Sequence, residues 1–285
     1  MAKFKTYCFE IKVLTNMHVG SGDATYSIVD KLVQRDPVTG NPTIHASSLK
    51  GALREFFEKE FDIDKFSTED LKTKLDVSKP DELRKKFINY IFGSSPKEKD
   101  KLQSGVYRFF SADLFLLPVR SSYNQYYLAT SKPTIEYLNN KFKLLGINLP
   151  DISSLLSVED PSKPIIWGAN ITEKKVLLED SEAEIVKDSI PINSRYDQKV
   201  SLWDSRFSEL VDNLPVIARN QLENGQSANL WYEEIVPHQT RFITFISVPE
   251  EDKTFTTFLS GLNELIQIGA NGSIGYGLCE FILKS

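Results

Sequence analysis

Cysteine and histidine are scarce in this sequence, with 2 cysteines and 3 histidines among 285 residues. Cys8 and Cys279 stand near opposite ends of the chain in apolar surroundings. They cannot build a disulfide framework, and no CxxC or HExxH spacing is available for a structural zinc, so both read as buried free thiols. Long apolar runs are lacking too: stretches such as Ile165-Ile166-Trp167 fall far short of the roughly 20 residues a bilayer span needs. The start, Met1-Ala2-Lys3-Phe4-Lys5, has no continuous apolar segment of the signal-peptide kind, and a cytoplasmic location is expected. Nor is there an excess of positive charge, since 34 Lys and Arg against 39 Asp and Glu leave a net charge of −5. That argues against indiscriminate nucleic-acid binding but leaves a local groove open, because phosphate contacts depend on where cations cluster. What is present, 41% apolar and 26% charged residues, excludes collagen-like, disordered and coiled-coil chains. The length suits about two domains or one elaborated domain.

Periodicity supplies the skeleton. Tyr7, Phe9, Ile11 and Val13 alternate with polar neighbours and predict a half-buried strand over 4–14. A loop of about thirty residues, 16–46, follows, and loops of that length inside a domain are usually functional or disordered. Ser47 is positioned to cap a helix with the stripe Leu49, Leu53, Phe56 and Phe57. A second helix is predicted at about 81–92, inside a charged insertion over about 62–105. Paired strands are predicted over 106–118 and 124–130, then a helix from Pro133 that Gly146 stops. No topology can be assigned to 147–200. Asp204 caps a further helix, a hairpin turns at Asn224-Gly225, and strand 240–248, a helix at 251–267 and strand 278–283 complete the chain. The order β, α, β, β, α, β is an α+β, ferredoxin-like arrangement with large insertions, a scaffold that RNA-recognition modules share with many unrelated proteins.

Three motifs carry chemistry. The glycine cluster from Gly269 through Gly272 and Gly275 to Gly277 lies between a helix and the final strand. It lacks the Gly-Lys-Ser/Thr of a phosphate loop, and too little chain follows it for a dinucleotide fold. A flexible turn and a loop whose bare backbone approaches a phosphate chain both remain open. Ser47-Ser48-Leu49-Lys50-Gly51-Ala52-Leu53-Arg54 opens a helix whose free N–H groups favour an anion, with Lys50 and Arg54 one turn apart. An ordinary helix with a solvated basic face is the commoner case, but Gly51 costs about 1 kcal/mol inside a helix unless something comes close. The third motif, the loop with His18, Asp23, Asp30 and Asp36, holds residues that are usually turn formers or packing groups. A free Asp, with a reference pKa of about 3.9, is a poor base at neutral pH unless burial raises it or it holds a metal.

Taken in order, His18-x-Gly20-Ser21-Gly22, Ile28-Val29-Asp30, Val33-Gln34-Arg35-Asp36, Pro42-x-Ile44, Ser47-Ser48-Leu49-Lys50-Gly51-x-x-Arg54 and the glycine loop resemble the RAMP superfamily of CRISPR RNA-guided proteins. The stretches 112–121 and 230–237, with Pro118-Val119-Arg120-Ser121 and Leu230-Trp231-Tyr232-Glu233, resemble the repeated backbone subunit of the type III-B (Cmr) effector. The resemblance implies one elaborated RAMP domain, RRM-like at its core, that polymerises along the guide RNA (crRNA) with copies of itself and other effector subunits. It implies a thumb-like hairpin at about 216–232 that kinks the guide–target duplex, with Leu222 and Leu230 as candidate wedges. It also implies cleavage of target RNA by 2′-OH attack, dependent on a divalent metal such as Mg or Mn. Asp30 is then the essential residue, as base or metal ligand, with His18 and Glu233 in support. Ser47, Ser48, Lys50, Gly51, Arg54, Gly269, Gly272, Gly275 and Gly277 would bind RNA backbone, with sequence read by base pairing. The competing readings are the type III-A (Csm) backbone subunit, a guide-processing endonuclease of the superfamily, and a non-catalytic RNA-coating subunit.

Overall fold

The computed structural model describes residues 3–22, 29–66, 68–77, 79, 82–94, 103–159, 161–167, 171–187 and 199–285. Strand β1 (Phe4–Val13) sends Phe9, Ile11 and Val13 into the main core and Cys8 to the opposite face, but it is not half-buried as its alternation predicts, because Cys8 and Glu10 are buried as well. Helix α1 (Ala46–Lys59) buries Leu49, Leu53, Phe56 and Phe57. Ser47 is not its cap: the helix starts ahead of it, with His45 in the capping position and no side-chain cap. Two neighbours serve that end instead. The Gln34 side-chain oxygen accepts the His45 N–H at 2.8 Å, and the Ser111 hydroxyl accepts the Ala46 N–H at 3.2 Å.

Helix α2 (Leu83–Phe92) lies where its stripe predicts and ends at Gly93. The charged stretch before it is more than an exposed insertion, because Ile63, Leu71 and Leu75 are buried. Strands β2 (Ala112–Arg120) and β3 (Tyr126–Ser131) pair antiparallel. Helix α3 (Lys132–Leu144) follows, with the Ser131 hydroxyl accepting the Thr134 N–H and Pro133 in the first turn. The segment without a sequence assignment supplies β4 (Ile165–Trp167), β5 (Val176–Leu178), β6 (Ser181–Val186) and β7 (Val200–Trp203). Helix α4 (Phe207–Asp212) comes next, and the Asp204 carboxylate accepts the Arg206 N–H ahead of it. Then come β8 (Val216–Glu223), β9 (Gln226–Glu234), β10 (Arg241–Pro249), α5 (Phe255–Leu262), β11 (Leu265–Gln267) and β12 (Leu278–Leu283). The helix expected over 251–267 is thus shorter. Leu265–Gln267 pairs with β12 as an edge strand, with Ile266 buried between its more exposed neighbours.

The principal sheet runs β11-β12-β1-β10-β2-β3-β7-β4-β6-β5. Within it, β12-β1-β10-β2 is the antiparallel 4-1-3-2 order of a ferredoxin-like core, and everything from β3 to β9 is inserted between its second and third strands. Helices α1, α2 and α5 cover one face. The rings of Phe57 and Phe258 stack at 5.2 Å between α1 and α5. A Cβ at Gly261 would lie 2.5 Å from the Phe57 ring, so glycine is what lets these helices approach so closely.

The other face is not an open platform of the RNA-recognition kind. Cys8, Phe115, Ile243 and Phe245 on that side pack with Ile135, Leu138 and Phe142 of α3. Strand β10 is therefore buried on both sides, which explains why it reads as a nearly continuous apolar run. Strands β2 to β7 curl until the end of β5 bridges back to Ser121, and Glu179 holds Arg120 there through bonds of 2.9 and 2.7 Å. That bridge caps the edge strand β5 at one end. Among the described residues β8 and β9 form a separate two-stranded sheet, whose turn residues, Asn224 (φ 52°) and Gly225 (φ 80°), both need positive φ.

Candidate functional site

Three chain segments meet at the base of the β8–β9 hairpin. The last residues of β9 run between the strand-like pieces that follow β1, with bridges from Met17 to Val236 and from Lys31 to Glu233. Asp30 is held by main chain on both sides of one residue. Its N–H donates to the Tyr232 carbonyl at 3.0 Å, and its carboxylate accepts the Tyr232 N–H at 2.7 Å. The side chain is exposed, and its second carboxylate oxygen has no partner among the described residues. Asp23 and Ile28 lie outside the described residues. Asp36 acts as a turn former, accepting the N–H groups of Val38 and Thr39 and the Thr39 hydroxyl.

His18 and Glu233 lie beneath this surface, both buried. The Nδ1 atom of His18 lies 2.7 Å from the Glu234 carbonyl. A carbonyl can only accept, so Nδ1 carries the proton, and Nε2 faces the Glu233 carboxylate at 3.7 Å. Glu233 also accepts from Arg219 Nε at 3.1 Å and from Asn271 Nδ2 at 3.0 Å. Glu234, buried as well, takes the Val33 N–H at 2.9 Å and pairs with Arg35 at 2.5 Å, fastening the N-terminal segment to β9. The structure thus places His18 and Glu233 side by side and ties Asp30 to the residue before Glu233, with only Asp30 of the three open to solvent.

Sequence reasoning overlooked Arg219, Asn271 and Tyr276. The guanidinium of Arg219 lies 4.5 Å over the Tyr276 ring. No sequence signal marked Arg219: a plain two-residue turn at Asn224-Gly225 would pair it with Leu230 and place it on the face opposite Glu233. Only the bulge between Gln221 and Leu222 shifts the register so that Arg219 pairs with Trp231 and shares a face with Glu233. Nothing in the sequence pointed to the two loop residues.

The expected RNA-binding residues fall on two surfaces. At the start of α1, Ser47 is exposed, Ser48 accepts from the Gln34 amide at 2.9 Å, and the Lys50 ammonium has no partner among the described residues. Arg54 is already engaged by Glu58 at 2.7 Å and by the Gly93 carbonyl at 2.9 Å. A Cβ at Gly51 would meet nothing within 4 Å, so its helix-weakening cost serves no internal contact. In the glycine loop, Gly269 and Gly277 answer to the chain itself: a Cβ there would lie 2.4 Å from the His18 carbonyl oxygen or 2.0 Å from that of Ile268. A Cβ at Gly272 would crowd Gln267, while Gly275 has open space around it. On the hairpin, Leu230 is 54% exposed, whereas the Leu222 side chain lies outside the described residues.

Among the described residues no three His, Cys, Asp or Glu side chains converge to hold a metal ion. A magnesium-type ion needs only one or two carboxylates when substrate phosphates and water complete its shell. The free oxygen of Asp30 fits that role as a single protein ligand. A cavity of about 840 Å³ lies elsewhere, lined by Leu117, Tyr126, Leu210, Leu214 and Pro215, and contains none of these groups.

No helix among the described residues is long and apolar enough to cross a membrane. The chain is 28% identical over 309 residues to the CRISPR system Cmr endoribonuclease Cmr4 of Pyrococcus furiosus, covering 98% of this chain and 96% of that one. It is 25% identical to the CRISPR system CMR subunit Cmr4 of Saccharolobus solfataricus, covering 95% and 94%. A cryo-EM structure of the type III-B Cmr-beta complex bound to cognate target RNA contains a chain that superposes with a TM-score of 0.74 at 24% identity, covering 98% and 96%. The crystal structure of oligomeric Cmr4 from Pyrococcus furiosus gives 0.70 at 23% identity, covering 98% of both chains. These two likenesses speak for the fold. The family model for the RAMP superfamily matches residues 10–280, from within β1 to within β12 and so across the whole ferredoxin-like core: the chain belongs to the RAMP superfamily.

Proposed function

We propose that this chain is the guide-RNA-binding backbone subunit of a type III-B CRISPR effector, repeated along the guide and cleaving complementary target RNA at regular intervals. The observation that supports this reading is Asp30, presented to solvent and tied to Tyr232 at the base of an exposed hairpin, one residue before Glu233 and its neighbour His18. The endoribonuclease name of the relative at 28% identity supports it.

The chemistry follows from geometry. Stacked RNA holds a 2′-OH badly aligned with the adjacent phosphorus, and a hairpin that splays one step permits in-line attack. The 2′-oxygen bonds to phosphorus, its proton goes to a base, and the 5′-oxygen leaves with a proton, giving a 2′,3′-cyclic phosphate and a 5′-OH. Asp30 takes the 2′-OH proton or holds a divalent cation, and such an ion, when bound, stabilises charge on the phosphate oxygens. His18 and Glu233 act from beneath, by fixing the strand on which Asp30 rests. The N-terminus of α1 with Lys50, and the glycine loop, hold guide backbone. The acidic net charge fits a subunit that keeps its cations on one groove and stacks on copies of itself.

The test is the chemistry of the ends. With the reconstituted effector, target fragments are expected to carry a 5′-OH that polynucleotide kinase labels without prior phosphatase treatment. A single 2′-deoxy substitution at the cut nucleotide should abolish that cut. Fragments bearing a 5′-phosphate would overturn the 2′-OH mechanism.

A further inference from the structure

Glu233 is buried, yet groups from separate parts of the chain converge on it. Arg219 on β8 donates from Nε at 3.1 Å, and Asn271 in the glycine loop donates from Nδ2 at 3.0 Å to the same oxygen. Arg219 also lies over the ring of Tyr276, two residues before the last strand begins, so a second loop residue grips the hairpin. The hairpin base and the glycine loop are therefore joined by a charge-assisted bond and a cation–π contact.

We propose that Arg219, Asn271 and Tyr276 are positioning residues that lock the hairpin base to the glycine loop, so that guide RNA held by the loop fixes where Asp30 meets the target. This rests on the reading above of Asp30 and of the loop. The mechanical link is short. Glu233 directly follows Tyr232, whose N–H holds the Asp30 carboxylate at 2.7 Å, so a shift of Glu233 moves the anchor of Asp30. At its other end the loop cannot slide freely. Ala270 donates to the His18 carbonyl at 2.8 Å, and Gly269 approaches that carbonyl more closely than any side-chain-bearing residue could. Asn271 sits at φ 65°, a conformation that Asn tolerates better than most residues, while its amide reaches Glu233. In-line attack is sensitive to misplacement of about 1 Å, so a loosened hairpin base lowers rate before it lowers binding.

The experiment uses the full chain assembled with guide RNA and its effector partners. Asn271→Gly keeps the backbone conformation and removes only the amide, Tyr276→Leu removes the ring, and Tyr276→Phe keeps it. Asn271→Gly and Tyr276→Leu should hold guide RNA within about twofold of wild type, yet cleave about tenfold more slowly in single turnover, as loss of a charge-assisted bond implies. Their cuts should spread to neighbouring phosphates, which lowered stability alone would not produce, and Tyr276→Phe should restore rate and position. Wild-type rate and cut position in both Asn271→Gly and Tyr276→Leu would overturn the proposal, as would a loss of guide binding that accounts for the slower cleavage. Asp30→Asn is run beside them. If it cleaves at the wild-type rate, the reading of Asp30 fails, whatever the loop variants do.

Discussion

Asp30 is anchored through one carboxylate oxygen and free at the other, which makes Asp30→Asn an informative substitution. The amide oxygen can still accept the Tyr232 N–H, so the melting temperature should stay close to wild type. Target cleavage should fall by about 100-fold or more, the usual weight of a general base or a lost metal ligand. Wild-type turnover would refute the assignment. The cysteines make the opposite case. Burial pushes the Cys8 and Cys279 thiols up to about 12, and for Cys8 it outweighs the help of nearby Lys284. Both should resist a disulfide reagent at pH 8 in the native protein and react on unfolding; rapid native labelling would contradict their burial. Burial would also raise Asp36, but bonds from Thr39 and Val38 outweigh it and hold the carboxyl below its usual range. Its folded pKa thus lies below an unfolded value of about 3.9, so the stabilisation is complete above that value and lost as pH falls through the folded one. Asp36→Asn keeps an acceptor and removes the charge. It should cost under about 1 kcal/mol at pH 7 in denaturant titrations, with the difference shrinking as pH falls below the unfolded value and through the folded one.

At the scale of elements, the close contact of α1 and α5 reverses an ordinary preference. Gly to Ala inside a helix normally stabilises by up to about 1 kcal/mol. At Gly261 the new methyl would strike the Phe57 ring, which Phe56, Phe61, Phe87 and Phe92 hem in. Gly261→Ala should therefore destabilise by about 1–3 kcal/mol in chemical denaturation. The same stripe of Leu49, Leu53, Phe56 and Phe57 was legible in the sequence, as were β1, β12 and the Asn224-Gly225 turn, because each rests on local periodicity or turn chemistry. The insertion was not legible. Its three- and four-residue strands Ile165–Trp167, Val176–Leu178 and Val200–Trp203 are too short to show a period, and they are fixed by closure of the curled sheet. The cap of α1 was misread for a similar reason, since Gln34 and Ser111 come to it from elsewhere. The site was half legible: resemblance pointed to His18, Asp30 and Glu233, while Asn271 and Tyr276 join it only through folding.

For the whole molecule, covering both faces of the ferredoxin-like sheet removes the stacking platform that RNA-recognition modules use. On the proposed reading, RNA is left with the loops, the start of α1 and the hairpin. Beyond its base the hairpin adds little to the core, since residues 220–230 pair only within the hairpin and, where their side chains are described, are exposed. Replacing residues 220–230 by a two-residue turn should leave the unfolding midpoint nearly unchanged while target cleavage is lost. A collapse in stability would show that the hairpin is structural. On the proposed reading, this fold presents Asp30 at a fixed repeat along a guide to cut target RNA. The most direct measurement is cleavage of end-labelled complementary RNA by the reconstituted effector, with wild-type protein, Asp30→Ala and added chelator. A regular ladder is expected, disappearing with Asp30→Ala and with chelator while RNA binding persists. A ladder that survives Asp30→Ala would contradict that reading.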